Sequence, residues 1–292
     1  MTDVPPQKCS VPKTRTLPSP YNRHGSVVRV IYLMAALVWW VLTGFGLVGR
    51  AGMVVLCYHG IPPVQTNVFR RQMARIRGRA AAPDCLTDTR FRWGRRLRVC
   101  VTFDDAFRQL QSEALPVLEE YGIPCVIFVP TANLASAPRW SMPNDHPECE
   151  QTVMSQAELQ AVAQRRGVML GSHTATHKDL TLLPLEDLAR ELRESRATLV
   201  ELTGGHIVDI AFPHGRYSRE VLEASQREGY RRMFTLEPRV ARAGQDVVGR
   251  FSMSPGAWPI EFMLTCAGAY VWLFPLRRFL GLLRSCLRVR SR

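Results

Sequence analysis

The stretch Arg98-Val99-Cys100-Val101-Thr102-Phe103-Asp104-Asp105-Ala106 decides how the rest of the chain is read. Its apolar and β-branched run reads as a strand buried on both faces that delivers two adjacent carboxylates at its C-terminal end. In parallel α/β folds that end of a strand is where active sites lie. Neighbouring carboxylates repel, so burying both requires a positive partner, and a metal cation is the usual one. The competing reading is a loop in which the two Asp residues cap the following helix.

A second stretch separates these readings. The apolar run Val168-Met169-Leu170 leads into Gly171-Ser172-His173-Thr174-Ala175-Thr176-His177. Imidazoles four positions apart share one face if the backbone makes a helical turn. Two histidines and a carboxylate, with a fourth position left open, compose a catalytic zinc set. A His-x-x-x-His pair alone is weak, but with Asp-Asp at another strand end it points to a metal site.

In this order and with this separation, Thr102-Phe103-Asp104-Asp105 and Ser172-His173-Thr174-Ala175-Thr176-His177 resemble the first two motifs of polysaccharide deacetylases, the NodB-homology or carbohydrate esterase family four enzymes. The resemblance covers roughly residues 53–253 and implies the distorted (β/α) barrel of that family. Carried over residue by residue, it makes Asp105, His173 and His177 the ligands of a divalent metal, zinc by preference, and Asp104 the general base. Where the family has Arg-x-Pro-x-Gly, this chain has Ala211-Phe212-Pro213-His214-Gly215, so the backbone N–H of His214 falls where the family donates to the developing oxyanion. Three features depart from the pattern. Ala211 replaces the arginine that orients the base, and Arg250 is the substitute cation expected here. No Asp-Trp stands where the fourth motif should be, and no histidine follows His214, so the second proton must come from His214, His59 or water. Ala106 also stands where a glycine is usual.

Composition bounds the remainder. A chain of 292 residues with 46% hydrophobic and 22% charged residues is globular and long enough for one catalytic domain plus appendages. Its net charge of +13 is mostly arginine concentrated toward the tails, with no nucleic-acid motif, so anionic lipid or an acidic polysaccharide is the expected partner and nucleic acid is not. The eight cysteines form no C-x-x-C pair. Cys57, Cys100 and Cys125 sit in apolar runs as small buried hydrophobes, while Cys85 and Cys149 lie in loop-like stretches and could pair in an oxidising compartment.

Residues 1–29, rich in proline and basic side chains, read as a disordered tail. Residues 30–49 contain no charge and read as one N-terminal transmembrane signal anchor, with a cleaved signal peptide as the competitor. Lys13, Arg15, Arg23 and Arg29 before it then place the domain on the periplasmic or extracellular side. The catalytic domain is expected over 53–258, opening with Met53–Tyr58 and His59, which either lines the site or sits hydrogen-bonded under a turn. Trp140, in the long irregular stretch 131–153, is either a sugar-stacking platform or a pin for its loop. Segment 259–292 is a basic amphipathic helical piece that either rests on the membrane surface or packs over the barrel.

Alternation of strand and helix about six times argues for a parallel α/β barrel. The function expected is metal-dependent removal of N-acetyl groups from amino sugars of an envelope or extracellular polysaccharide. O-deacetylation of the same substrate class is the alternative, and so is an idle glycan-binding barrel that kept its metal. A phosphoester hydrolase is disfavoured because the chain offers no further ligands for a second metal.

Overall fold

The computed structural model describes residues 26–44 and 51–276, apart from 89–90, 92, 94–95, 141 and 143–147. Its elements are helix α1 (Ser26–Leu42), β1 (Met53–Tyr58), α2 (Thr66–Ile76), β2 (Arg98–Phe103), α3 (Leu110–Glu113), α4 (Leu115–Tyr121), β3 (Cys125–Val129) and α5 (Gln156–Ala163). There follow β4 (Val168–Ser172), α6 (Leu185–Thr203), β5 (Asp209–Ala211), α7 (Arg219–Arg227), β6 (Arg232–Phe234), β7 (Val247–Val248), β8 (Phe251–Ser252) and α8 (Pro259–Cys266).

All eight strands join one parallel sheet in the order β7-β6-β5-β4-β3-β2-β1-β8. The strands are short continuous apolar runs because both faces are covered. Alternate residues feed two cores. Val54, Leu56, Val99, Val101 and Ile127 pack under the helices, whereas Met53, Val55, Cys100, Val126 and Phe128 fill a second cluster with Phe234 and Val248.

The stretch 247–253, which reads as a single strand in the sequence, is two strands on opposite edges of the sheet. Only Gly249 and Arg250 separate β7 from β8, and three Cα steps span at most about 11 Å. The sheet must therefore curl until its edges nearly meet, and the barrel is closed by a covalent seam. Gly249 is required by close approach: a Cβ there would press into the backbone oxygen of Glu237 and the side chain of Arg239.

Local signals explain several boundaries. Ser155 and Glu158 form the expected capping box at α5, Ser218 caps α7, and Gly122 and Gly204 end α4 and α6 with left-handed backbones. Helical periodicity runs over 107–121, but the helix is broken in two because Pro116 lacks an N–H to continue the ladder. At the N-terminal starts of β5 and β6, Arg232 forks onto Asp209 at 2.5 and 2.9 Å, a buried ion pair that ties neighbouring strands.

Two expectations need correction. The helix described in the apolar N-terminal segment does not coincide with the span expected over 30–49. Helix α1 begins at Ser26 and ends at Leu42, residues 45–49 lie outside the described residues, and among the described residues no helix is long and apolar enough to cross a membrane. Instead α1 docks on α8: Arg29 forks onto Glu261, its guanidinium lies 4.1 Å over the Trp258 ring, and Tyr32 stacks on Trp272 at 5.9 Å. Arg29 is thus an interior tie. Cys85 is a free thiol, so the bridge between Cys85 and Cys149 is not made. The tail 1–25 and residues 277–292 lie outside the described residues, while α8 itself packs over the barrel with Phe262 and Leu264 buried.

Replacing Gly249 by Ala is expected to destabilise the protein by about 1–3 kcal/mol through overpacking at the seam. Urea unfolding measures it, and an unchanged midpoint would show that the seam has room to spare.

Candidate metal centre

Parallel strands place their C-terminal ends on one rim, so the residues following β1, β2, β4 and β5 converge there. Asp104 and Asp105 follow β2, and both are buried. The side chain that answers their charge is Arg250. From the seam it donates from Nη1 to Asp104 Oδ1 at 2.6 Å and from Nη2 to Oδ2 at 2.9 Å, and it is fully buried. Its remaining donors reach Thr102 Oγ1 at 3.3 Å and the Thr235 carbonyl at 3.2 Å, and its plane lies 5.3 Å from the Phe128 ring. Burial opposes ionisation of Asp104, but Arg250 overcomes it and holds the carboxyl well below the usual carboxylate range. The buried Cys57 thiol donates to the same Oδ2 at 3.3 Å.

Asp105 faces the histidines. Its Oδ1 lies 3.6 Å from His173 Nε2 and 3.4 Å from His177 Nε2, while Oδ2 lies 4.0 Å from His59 Nε2. One ligand atom each from Asp105, His173 and His177 falls within 4.8 Å of the others, and all three residues are buried. Burial drives the Asp105 carboxyl up to about 8; His59 pulls against this and the Asp104 charge adds to it. Burial lowers His173 to about 4 and drives His177 well below the ordinary value, so both imidazoles are neutral at pH 7 with lone pairs to give. His173 Nδ1 donates to the Ala211 carbonyl at 2.8 Å, which leaves Nε2 as the free ligand atom. Among the described residues Asp105 Oδ1 is buried with no hydrogen-bond partner. An orphaned buried carboxylate oxygen between two neutral imidazole nitrogens is a donor set that fits a divalent cation.

The backbone here differs from the sequence expectation. His173 and His177 are not on a helical turn; they lie in a loop whose Thr174 and His177 have φ of 66° and 61°. The rings meet edge to face at 4.7 Å. Asp105, Ala106 and His214 are also left-handed, so among the described residues five of the six non-glycine positions with positive φ stand at this rim. Ala106, at φ 48°, occupies a conformation that glycine adopts freely, which explains why a glycine is usual there. His214 is at the apex of a turn closed by Gly215 N–H to Phe212 O at 2.9 Å, with its exposed ring 5.2 Å from that of His177. Trp140 stacks on His177 at 4.4 Å, so one face of the indole is occupied by a histidine of the cluster.

Glu191 is the residue that sequence reading missed. From α6 its buried carboxylate accepts from the N–H groups of Ala175 at 3.1 Å and Thr176 at 2.9 Å and from the Thr176 hydroxyl, pinning the loop between the two histidines. One turn on, Ser195 shares a 2.8 Å hydrogen bond with Ser172. The available signal was that Glu191 and Ser195 interrupt the otherwise apolar buried stripe of α6, Leu188, Leu192, Leu199 and Leu202.

A curled parallel sheet with buried acid and imidazole side chains converging on its C-terminal rim defines the class as an α/β barrel, with its candidate site where such folds carry theirs. Residues 94–233 match the family model described as polysaccharide deacetylase. Among curated relatives it is 27% identical over 153 residues to the chitooligosaccharide deacetylase of Rhizobium leguminosarum bv. trifolii, covering 51% of this chain and 62% of the relative. It is 27% identical over 175 residues to protein YxkH of Bacillus subtilis (strain 168), covering 59% of this chain and 56% of YxkH. Each match thus spans less than two thirds of the relative's length. The fold is similar to that of IcaB from Ammonifex degensii, with a TM-score of 0.63 at 24% identity over 75% of this chain and 97% of that one. It is also similar to the Streptococcus pyogenes deacetylase PplD, with a TM-score of 0.61 at 20% identity over 74% and 98%.

Replacing Glu191 by Gln is expected to loosen the histidine loop and weaken divalent-metal binding by about 10–100-fold, the usual cost of losing an outer hydrogen-bond partner. Competition with a chromogenic chelator reads this directly, and an affinity equal to the wild type would remove Glu191 from the support of the site.

Proposed function

We propose that the protein removes N-acetyl groups from amino sugars of an acetylated envelope or extracellular polysaccharide, on the extracytoplasmic side where such glycans lie. Asp105, His173 and His177 are the ligands in this reading, Asp104 is the general base, and His214 serves the oxyanion through its backbone N–H. The observation that carries it is the division of labour between adjacent carboxylates: Asp104 is neutralised by Arg250, whereas Asp105 faces the imidazoles of His173 and His177.

A divalent cation, zinc by the chemistry of the donor set, would supply Lewis-acid polarisation of the amide carbonyl and a water acidic enough to attack at neutral pH. The chain's own residues do the rest. Arg250 keeps Asp104 in its proton-accepting form and fixes both oxygens, so the base is aimed without reorganisation. The Ala211 carbonyl holds the His173 ring, and the Thr174 hydroxyl accepts from the His177 N–H at 3.1 Å. His59 stands at the other oxygen of Asp105. Burial would lower it, but Glu148, Asp105 and Asp104 outweigh that and raise its pKa, which suits it to deliver a proton to the leaving amine.

Acetate release from N-acetylated and O-acetylated oligosaccharides, with and without chelator, tests the proposal. Release from the N-acetylated substrates is expected to disappear on metal removal and return with zinc. Asp104→Asn is expected to lower kcat by about 10²–10⁴-fold while still binding metal. Unchanged release from Asp104→Asn would remove the base, and glycan binding without release would leave a binding barrel.

A second prediction concerns pH. Arg250→Met removes the charge that holds Asp104 ionised against its burial, so the Asp104 pKa rises in this variant. The acid limb of kcat/KM therefore moves to higher pH, and an acid limb that stays in place would assign it to another group.

A further inference from the structure

Helix α1 is apolar on both sides, and among the described residues only one side is packed. Tyr32, Leu33, Ala36, Leu37 and Trp40 turn toward the barrel and α8. On the opposite side Val27 is 72% exposed, Ile31 61%, Met34 and Val38 54% and Leu42 78%. Beside it α8 exposes Ile260 and Met263. A helix apolar all round is at home only where both sides are covered, and a contiguous exposed apolar patch of this kind marks an interaction surface.

The distribution of charge says what covers it. Residues 1–25 lead directly into α1, and residues 277–292 leave Leu276, itself exposed beyond α8. These two segments carry ten basic residues against one acidic residue, Asp3, in a chain whose net charge is +13. Most of the positive excess is therefore tethered to the two places where the chain joins the patch. An apolar face rimmed by basic segments is complementary to an anionic bilayer, whose headgroups attract the arginines while the acyl boundary takes up the apolar side chains. A second copy of the chain fits poorly, since pairing two such faces would bring four positively charged tails together.

We propose that α1 and α8 form one face that lies in the plane of an anionic membrane, with α1 docked along the barrel by the Arg29–Glu261 pair and the Tyr32–Trp272 stack. This rests on the exposed surface and the charge distribution and is independent of the reaction assigned to the rim.

The experiment uses the full chain and sealed phosphatidylcholine vesicles with and without phosphatidylglycerol. Co-sedimentation is expected with the anionic vesicles and is expected to weaken at high salt. The double variant Ile31→Glu, Val38→Glu is expected to bind at least about tenfold less, with its thermal midpoint and its activity on a soluble oligosaccharide unchanged. Protease added outside the vesicles is expected to remove residues 1–25, because a helix in the plane leaves both flanks on one side. Protection of that tail would mean that α1 crosses the bilayer. Equal binding by the variant, equal binding to neutral vesicles, or a lipid-free dimer that ignores vesicles would each overturn the proposal.

Discussion

The site depends on one ion pair made across the seam of the barrel. Asp104 and Arg250 are 146 positions apart in sequence and are both withdrawn from water. Burying either charge alone would be strongly unfavourable, about 3–5 kcal/mol by the usual consequence of breaking such a pair. Together, with Thr102, Thr235 and Cys57 filling most of the remaining hydrogen-bonding positions, they are tolerated. The pair fixes three things: the curl of the sheet that brings residue 250 under residue 104, the ionised state of Asp104, and the contrast between the two carboxylates. Without Arg250 the adjacent acids would compete for the same environment.

The contrast has a structural cause. Successive residues at the end of a strand point different ways, so Asp104 looks into the barrel toward the seam while Asp105, pushed to φ 69°, looks toward the histidines. The rim takes its histidine loop from β4, fixed from behind by a buried glutamate of α6, and its His214 turn from β5, where Ala211 gives a carbonyl to His173. Where an arginine would orient the base in the related motif, this chain has an alanine whose main chain anchors a histidine, and the guanidinium arrives from the opposite edge of the sheet.

Much of this was legible in the sequence because apolar runs ending in polar residues are direct statements about strands and rims. The Asp-Asp pair, the two histidines, the capping box at Ser155 and the stop at Gly122 all follow from local chemistry. What was not legible is long-range. Residues 247–253 read as one strand because nothing in seven residues announces that two sheet edges meet between Val248 and Phe251. The histidines looked helical because spacing alone cannot report a left-handed Thr174. Glu191 was hidden in a leucine stripe, and its meaning emerges only once the loop it holds is folded beside it. The docking of helix α1 was hidden for the same reason. A run of uncharged residues specifies that a segment avoids water, and the partner it chooses is set by Glu261, Trp258 and Trp272 more than two hundred positions away.

The seam also has a temporal meaning. A chain made from its N-terminus presents both aspartates and both histidines well before residue 250, so Asp104 has no counter-charge until the last strand is added. The rim is thus completed by the closing of the barrel, and a nascent or truncated chain that ends before Arg250 carries every candidate ligand yet leaves Asp104 without its guanidinium.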